Sequence, residues 1–165
     1  YFTLFKEPLV YSSFDWAIRD DEGYFTILGR TDDVINVAGH RLGTREIEEA
    51  IQMHSAIAEV AVVGVEDKLK GQMPLAFAVV KDQSRVATPE LAKALEKEVM
   101  ATVDGSLGAI ARPARVHFVT GLPKTRSGKM LRRSLQALAE GRDVGDLPTI
   151  EDASTLEQIK RVLQS

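Results

Sequence analysis

Apolar residues recur along this chain in two rhythms, and the switches between them mark its elements. Residues 14–19 (Phe-Asp-Trp-Ala-Ile-Arg) and 24–28 (Tyr-Phe-Thr-Ile-Leu) flank Asp20-Asp21-Glu22-Gly23, which predicts a hairpin closed by a glycine-containing turn. Val34 to Ala38 is a short apolar strand that ends at Gly39. Thr44 is placed to cap a helix from Arg45 to Met53, with Ile47, Ala50 and Ile51 on one face. Val60 to Val65 and Pro74 to Val80 are apolar, β-branched runs of strand length, joined through Asp67 to Gln72, and they predict neighbouring strands of one sheet.

The second half alternates in the same way. Thr88-Pro89-Glu90 is a helix start, because threonine caps, proline tolerates the first helical position and an early acid suits the helix dipole. Leu91, Leu95, Val99 and Val103 continue it as a stripe that Gly105 and Gly108 break. Ala114 to Val119 reads as a strand, Ser127-Gly128 leads into a helix from Lys129 to Glu140 stopped by Gly141, and a last helix spans Thr155 to Leu163. There is no internal repeat. The fold class expected is α+β, a small mixed β-sheet with packed helices plus an N-terminal β-hairpin.

Composition narrows the chemistry. The 165 residues contain no cysteine, which excludes thiol catalysis, disulfides and Cys-ligated zinc, and the three histidines at 40, 54 and 117 have no metal-motif spacing. No apolar run approaches the roughly 18 residues of a membrane span, and Tyr1-Phe2-Thr3-Leu4-Phe5 lacks the basic start of a secretory signal. A cytoplasmic setting without membrane association is the expectation. The net charge is only −3, yet Gly105 to Ala139 contains no acid and carries Arg112, Arg115, Lys124, Arg126, Lys129, Arg132 and Arg133. Such a segment is either a site for a small phosphorylated ligand or a solvated face.

Two segments stand out against that background. The first is Gly29-Arg30-Thr31-Asp32-Asp33-Val34-Ile35-Asn36-Val37-Ala38-Gly39-His40-Arg41-Leu42-Gly43-Thr44-Arg45-Glu46-Ile47-Glu48, and the second is Leu122-Pro123-Lys124-Thr125-Arg126-Ser127-Gly128-Lys129. Together they resemble two signature motifs of the adenylate-forming superfamily, which comprises acyl-CoA synthetases, peptide-synthetase adenylation domains and luciferases. The resemblance runs from Tyr11 onward, and Tyr11-Ser12-Ser13-Phe14-Asp15 is similar to the end of the family's large domain. Gly39 to Thr44 looks like the acetyl-CoA and propionyl-CoA synthetase branch. Phe14-Asp15-Trp16, Thr44 to Ile51, and the tail from Gly145-Asp146-Leu147 to Thr155-Leu156 lean towards propionyl-CoA synthetases.

The resemblance implies a division of the chain and a set of roles. Residues 1–31 would be the end of a large adenylation domain with the hairpin leading to a hinge, 32–141 a mobile C-terminal catalytic domain, and 142–165 a tail. Enzymes of this family join a carboxylate to ATP and then pass the acyl group to CoA, so ATP with Mg2+ and CoA are expected as substrates, with no tightly bound organic cofactor. Lys129 matches the catalytic lysine of adenylation, where a fixed ammonium offsets accumulating negative charge. Asp15 matches the ribose-binding aspartate, and Arg30 and Arg41 match arginines that hold nucleotide ribose and phosphate. Ala38, Gly39 and His40 match the stretch lining the CoA tunnel, and Asp32 matches the hinge. Gln52, His54 and Ile57 match a structural cation site built from main-chain oxygens. Where acetyl-CoA synthetases place a CoA-contacting arginine, this chain has Asp104.

Expected partners are the large N-terminal domain of the same polypeptide, a short-chain carboxylate (propionate or acetate), and a lysine acyltransferase and deacylase acting on Lys129. The family's triphosphate-binding loop has no counterpart here, so an excised domain, inactive alone, is the expectation. Two rival readings compete. Gly121 to Lys129 superficially resembles a P-loop, but six residues separate Gly121 from Gly128 where four belong, and Met130 stands where Ser or Thr would hold magnesium. A non-catalytic interaction or nucleic-acid module could use the basic segment 112–133, yet Phe118 is the only aromatic residue from 105 to 139.

Overall fold

Alternation of side chains along two long strands organises the chain in the computed structural model, which describes residues 13–145 and 150–164. The motif start at Tyr11-Ser12 and the tail residues Asp146-Leu147 lie outside the described residues. Strands β1 (Asp15–Arg19) and β2 (Phe25–Arg30) form the expected antiparallel hairpin, closed where Gly23 N–H donates to the Asp20 carbonyl and Tyr24 N–H to the Asp20 carboxylate. A single 3-10 turn, Thr31–Asp33, leads into β3 (Val34–Val37), which pairs with β4 (His40–Gly43). Then follow α1 (Thr44–Gln52), β5 (Ile57–Asp67), β6 (Gly71–Val80), a 3-10 turn at Gln83–Val86, α2 (Pro89–Leu107), β7 (Val116–Phe118), α3 (Arg132–Ala139) and α4 (Ser154–Gln164).

The main sheet runs β4-β3-β6-β5, and β7 pairs with β6 in parallel after the crossover through α2. Along β5 and β6, Val62, Ala76 and Ala78 face α1 and α2, burying Ile47, Ile51, Leu95, Val99 and Val103. The intervening Ala61, Val63, Leu75 and Phe77 face α3 and α4, burying Leu135, Leu138, Leu156 and Ile159. Both faces are covered, which is why these strands read as continuous apolar runs and not as alternating ones. Each fully buried Ile or Leu contributes about 1.5–3 kcal/mol relative to exposure. The mixed sheet, four helices among the described residues and separate hairpin make the chain α+β, as its patterning implies.

Two helix starts differ from expectation. Gly43, still paired with Val34, is the N-cap of α1, so Thr44 enters the helix instead of capping it. Its hydroxyl is buried, and Oγ1 has no partner among the described residues. The third helix begins at Arg132 and not at Lys129, for reasons that belong to the turn described below. By contrast Thr88 caps α2 as read, its Oγ1 accepting the Leu91 N–H at 3.3 Å. Strand β4 was not legible as a strand, and both β5 and β6 extend further than their apolar cores.

A charged group links the two layers. The Arg132 guanidinium pairs with Glu48 of α1 and donates to the Val62 carbonyl of β5 at 3.0 Å, with Asp33 at 3.7 Å. Glu48 Oε1 also accepts the Val62 N–H at 2.7 Å. Burial opposes the charge of Arg132, but the hydrogen bonds and charge of Glu48, joined by Asp33, outweigh it and hold the guanidinium above its ordinary value. Replacing one partner strands the other: Arg132→Met is expected to cost about 3 kcal/mol in denaturant unfolding. The double variant Arg132→Met/Glu48→Leu should recover much of that. A single variant within about 0.5 kcal/mol of the parent would show that the pair does not hold the layers.

His117 supplies a second test. Its ring stacks on Phe77 with centroids 5.6 Å apart. Burial pushes its pKa down, the Arg115 charge adds to that, and Glu96 opposes it. Because the unfolded chain then binds the proton more readily, the stability present above about pH 6.5 is lost as pH falls towards the depressed folded value. Unfolding free energies of the parent and His117→Gln between pH 7.5 and 5 should diverge, the parent falling more steeply; parallel curves would contradict the assignment.

Candidate functional site

Lys129 stands on a tight turn. Lys124 pairs with Met130 across an antiparallel bridge, Thr125 N–H donates to the Lys129 carbonyl at 2.8 Å, and Gly128 N–H donates to the Thr125 carbonyl at 2.8 Å. Arg126-Ser127-Gly128 is thus a three-residue hairpin loop, and Gly128 takes the left-handed position (φ 80°) that such loops reserve for glycine. The Lys129 N–H, which a helix start would leave free, donates to Thr125 Oγ1 at 3.1 Å. A helix cannot begin there, because both backbone groups of Lys129 are committed to Thr125. The Lys129 side chain is exposed, and its ammonium has no hydrogen-bond or ion-pair partner among the described residues.

The other expected residues fall into two groups. Asp15 and Arg30 sit opposite each other at the open end of the first hairpin, Oδ1 to Nη1 at 3.8 Å, and Arg30 also donates to the Ser13 carbonyl at 3.4 Å. Asp32, of which only the backbone is described, lies in the 3-10 turn joining that hairpin to the main sheet. Ala38 and Gly39 form the two-residue loop between β3 and β4, flanked by the Val37–His40 pair, and both have positive φ (49° and 88°). That is the requirement of a type I′ turn. Arg41 follows on β4, exposed and opposite Asn36. Ala38 N–H donates to the Lys70 carbonyl at 2.8 Å, so the loop rests on the β5–β6 turn. A Cβ added to Gly39 would meet no atom within 4 Å.

The two loops are anchored at opposite ends of one ribbon. Lys124 Nζ binds Glu59 near the start of β5 at 2.7 Å, whereas the Ala38-Gly39 loop sits beside Lys70 and Gly71, where β5 and β6 meet. From Glu59 to Asp67 the strand extends about 27 Å, at roughly 3.4 Å per residue. A surface cavity of about 370 Å³ beside Asp33, Gln72, Arg132 and Gln136 is lined by neither Lys129 nor residues 38–41. These groups therefore stand on the exterior and face outward.

The basic segment is largely neutralised by acids from elsewhere in the chain. Arg112 pairs with Asp104, Arg115 with Glu96 at 3.2 Å, Lys124 with Glu59, and Arg132 with Glu48. Its lack of acids in sequence is not a lack in space, which weakens the polyanion-binding alternative. Asp104, which stands where acetyl-CoA synthetases place a CoA-contacting arginine, binds the Arg112 guanidinium through both oxygens and raises its pKa, chiefly by hydrogen bonding.

His54 has a structural role on its side-chain atoms: Nδ1 accepts the Ala56 N–H at 3.3 Å, and Nε2 lies 3.4 Å from Glu98. Its carbonyl accepts the Ile57 N–H at 3.0 Å, so a cation held with Gln52 and Ile57 would use that oxygen's second lone pair. No group of three or more His, Asp or Glu side chains among the described residues could hold a metal. Sequence reasoning missed the Thr125 hydroxyl and the Glu59 and Glu48 anchors. Thr-x-Ser-Gly is turn chemistry, and that signal could have displaced the helix start.

Comparison with known proteins agrees with the motifs. A family model described as AMP-binding enzyme C-terminal domain matches residues 46–129. The chain is 58% identical over 164 residues to the propionate–CoA ligase of Escherichia coli, covering 99% of this chain and 26% of that protein. It is 50% identical over 157 residues to the acetyl-coenzyme A synthetase of Pyrobaculum aerophilum, covering 95% of this chain and 23% of that protein. Among solved structures, ATP-bound MatB from Rhodopseudomonas palustris superimposes with a TM-score of 0.63 at 29% identity, covering 75% of this chain and 23% of that one. The chain spans about a quarter of the length of these curated relatives. No helix among the described residues is long and apolar enough to cross a membrane.

The strain at Ala38 is directly testable. An exposed L-residue in the left-handed region costs about 1–2 kcal/mol, and asparagine tolerates that region better. Ala38→Asn should therefore raise the unfolding free energy by about 0.5–1 kcal/mol, measured by urea denaturation. A decrease would mean that the alanine methyl makes a contact worth more than the strain.

Proposed function

This chain belongs to the AMP-binding enzyme C-terminal domain family, and from that premise we propose that it is the mobile small domain of a short-chain acyl-CoA synthetase. The overall reaction would convert a carboxylate, ATP (as its magnesium complex) and CoA into acyl-CoA, AMP and pyrophosphate, in the cytoplasm that a cysteine-free chain suits. Propionate is preferred over acetate because identity to the propionate–CoA ligase is 58% and that to the acetyl-coenzyme A synthetase 50%. The large domain of the same polypeptide would supply the acyl pocket and the triphosphate loop.

The observation that carries this reading is the placement of two outward loops at opposite ends of the β5–β6 ribbon. One rigid position cannot deliver both to one reacting centre, whereas rotation about Asp32 can deliver them in turn. In the first position a carboxylate oxygen attacks the α-phosphorus and the bond to pyrophosphate breaks. The unpaired Lys129 ammonium stabilises the charge gathered there, Asp15 accepts from ribose hydroxyls, and Arg30 and Arg41 hold ribose and phosphate oxygens. In the second position the CoA sulfur attacks the acyl carbon and AMP leaves. The Ala38-Gly39 loop, with His40 beside it, gives the pantetheine arm a slim wall of backbone. Acylation of Lys129 by an acyltransferase would remove its charge, and a deacylase would restore it.

The test is single-turnover kinetics of each half-reaction in the full-length enzyme. Lys129→Ala should slow adenylation on the order of 10²–10³-fold and leave thioester formation from supplied acyl-adenylate nearly unchanged. Gly39→Leu should do the reverse. Equal slowing of both steps by either substitution would sink the two-position reading.

A further inference from the structure

The turn that carries Lys129 is tied by one side chain. Thr125 Oγ1 accepts the Lys129 N–H at 3.1 Å and shares a hydrogen bond of 2.9 Å with Ser127 Oγ. The Thr125 main chain donates to the Lys129 carbonyl and accepts from Gly128 N–H, both at 2.8 Å. One residue thus holds Lys129 on both sides of its Cα and spans the loop between them. The turn is itself fixed at its base, where Lys124 Nζ binds Glu59 at 2.7 Å and Glu151 N–H donates to the Lys124 carbonyl at 2.9 Å. Its tip, Arg126 to Lys129, is exposed and has no apolar packing to hold it.

We propose that Thr125 is the positioning residue of the candidate adenylation site: its hydroxyl sets the backbone direction from which the Lys129 ammonium projects. The proposal rests on the assignment of Lys129 to adenylation. A lysine side chain has four flexible bonds, so its ammonium can be aimed only if the Cα from which it starts is fixed. Electrostatic stabilisation of a transition state requires that the charge already be in place when the reaction occurs. The main-chain bonds hold the carbonyl side of Lys129 only, and the hydroxyl completes the clamp on the amide side. Valine at this position keeps the β-branched shape and removes both side-chain hydrogen bonds, whereas serine keeps the oxygen.

Full-length enzyme carrying Thr125→Val, Thr125→Ser or Lys129→Ala is to be compared in separate half-reactions. Thr125→Val is expected to lower kcat for adenylation about tenfold, with KM for carboxylate and ATP little changed and thioester formation from supplied acyl-adenylate unaffected. Thr125→Ser should restore most of the rate. Amide hydrogen exchange in the peptide spanning residues 124–131 should quicken in Thr125→Val and stay near the parental rate in Thr125→Ser. If Lys129→Ala slows adenylation and Thr125→Val does not, the positioning role is wrong while the assignment of Lys129 stands. Equal slowing of both half-reactions by Thr125→Val, or no rescue by serine, also overturns it. Normal adenylation in Lys129→Ala removes the assignment of Lys129 and this proposal together.

Discussion

Arg132 carries a charge into the seam between the two helical layers, and its neutralisation there ties α1, α3, β5 and the turn after the first hairpin to one another. Its partners come from three separate elements: Glu48 of α1, the Val62 carbonyl of β5 and Asp33 of the turn after the first hairpin. Apolar packing alone would let α3 slide on the sheet, since burial is non-directional. A guanidinium satisfied by fixed acceptors allows one register. Arg132 also lies three residues beyond Lys129, so the contact that fixes α3 fixes the base of the turn before it. Asp33 adjoins the expected hinge residue Asp32, and the same guanidinium therefore links α1 and β5 to the turn after the first hairpin.

Beyond that anchor, the chain uses one device twice. Each outward loop is a tight hairpin with a glycine in the left-handed region, and each is braced by hydrogen bonds to neighbouring backbone. The loops are therefore exposed and yet constrained, a combination suited to presenting a side chain or a strip of backbone to something outside the domain. They differ in what they present. The Ala38-Gly39 loop offers backbone and a single methyl group; the Thr125-to-Lys129 turn offers two cations, Arg126 and Lys129.

Much of this was legible in the sequence because local and global signals agree. The alternation from residue 14 to 28, the Thr88-Pro89-Glu90 start and the apolar runs of β5 and β6 each predict the element found there. What failed was local information overridden by pairing. Thr44 carries a capping side chain, but β4 continues through Gly43 and leaves threonine inside the helix. Ser127-Gly128 looks like the entry to a helix, but the Thr125 hydroxyl captures the Lys129 N–H first. The parallel pairing of β7 with β6 had no sequence signature, since it depends on where a 19-residue helix sets the returning chain. The site residues were legible only through motif resemblance: nothing in the periodicity distinguishes Lys129 from any surface lysine.

Charge shows the same limit from the other side. The acid-free stretch from Gly105 to Ala139 suggests a basic face, but Asp104, Glu96, Glu59 and Glu48 reach it from α2, β5 and α1. Apart from the more buried Glu48–Arg132 pair, these partly exposed pairs contribute little net stability individually. Their larger effect is to set an acid against Arg112, Arg115, Lys124 and Arg132, which reduces the net positive charge around the turn. A diffuse basic patch would attract any polyanion without orienting it. An exposed ammonium on a constrained turn is screened beyond about 8 Å at physiological ionic strength, so geometry decides what it meets. In the proposed function a short reach suits Lys129, because its charge would stop acting once the domain had turned.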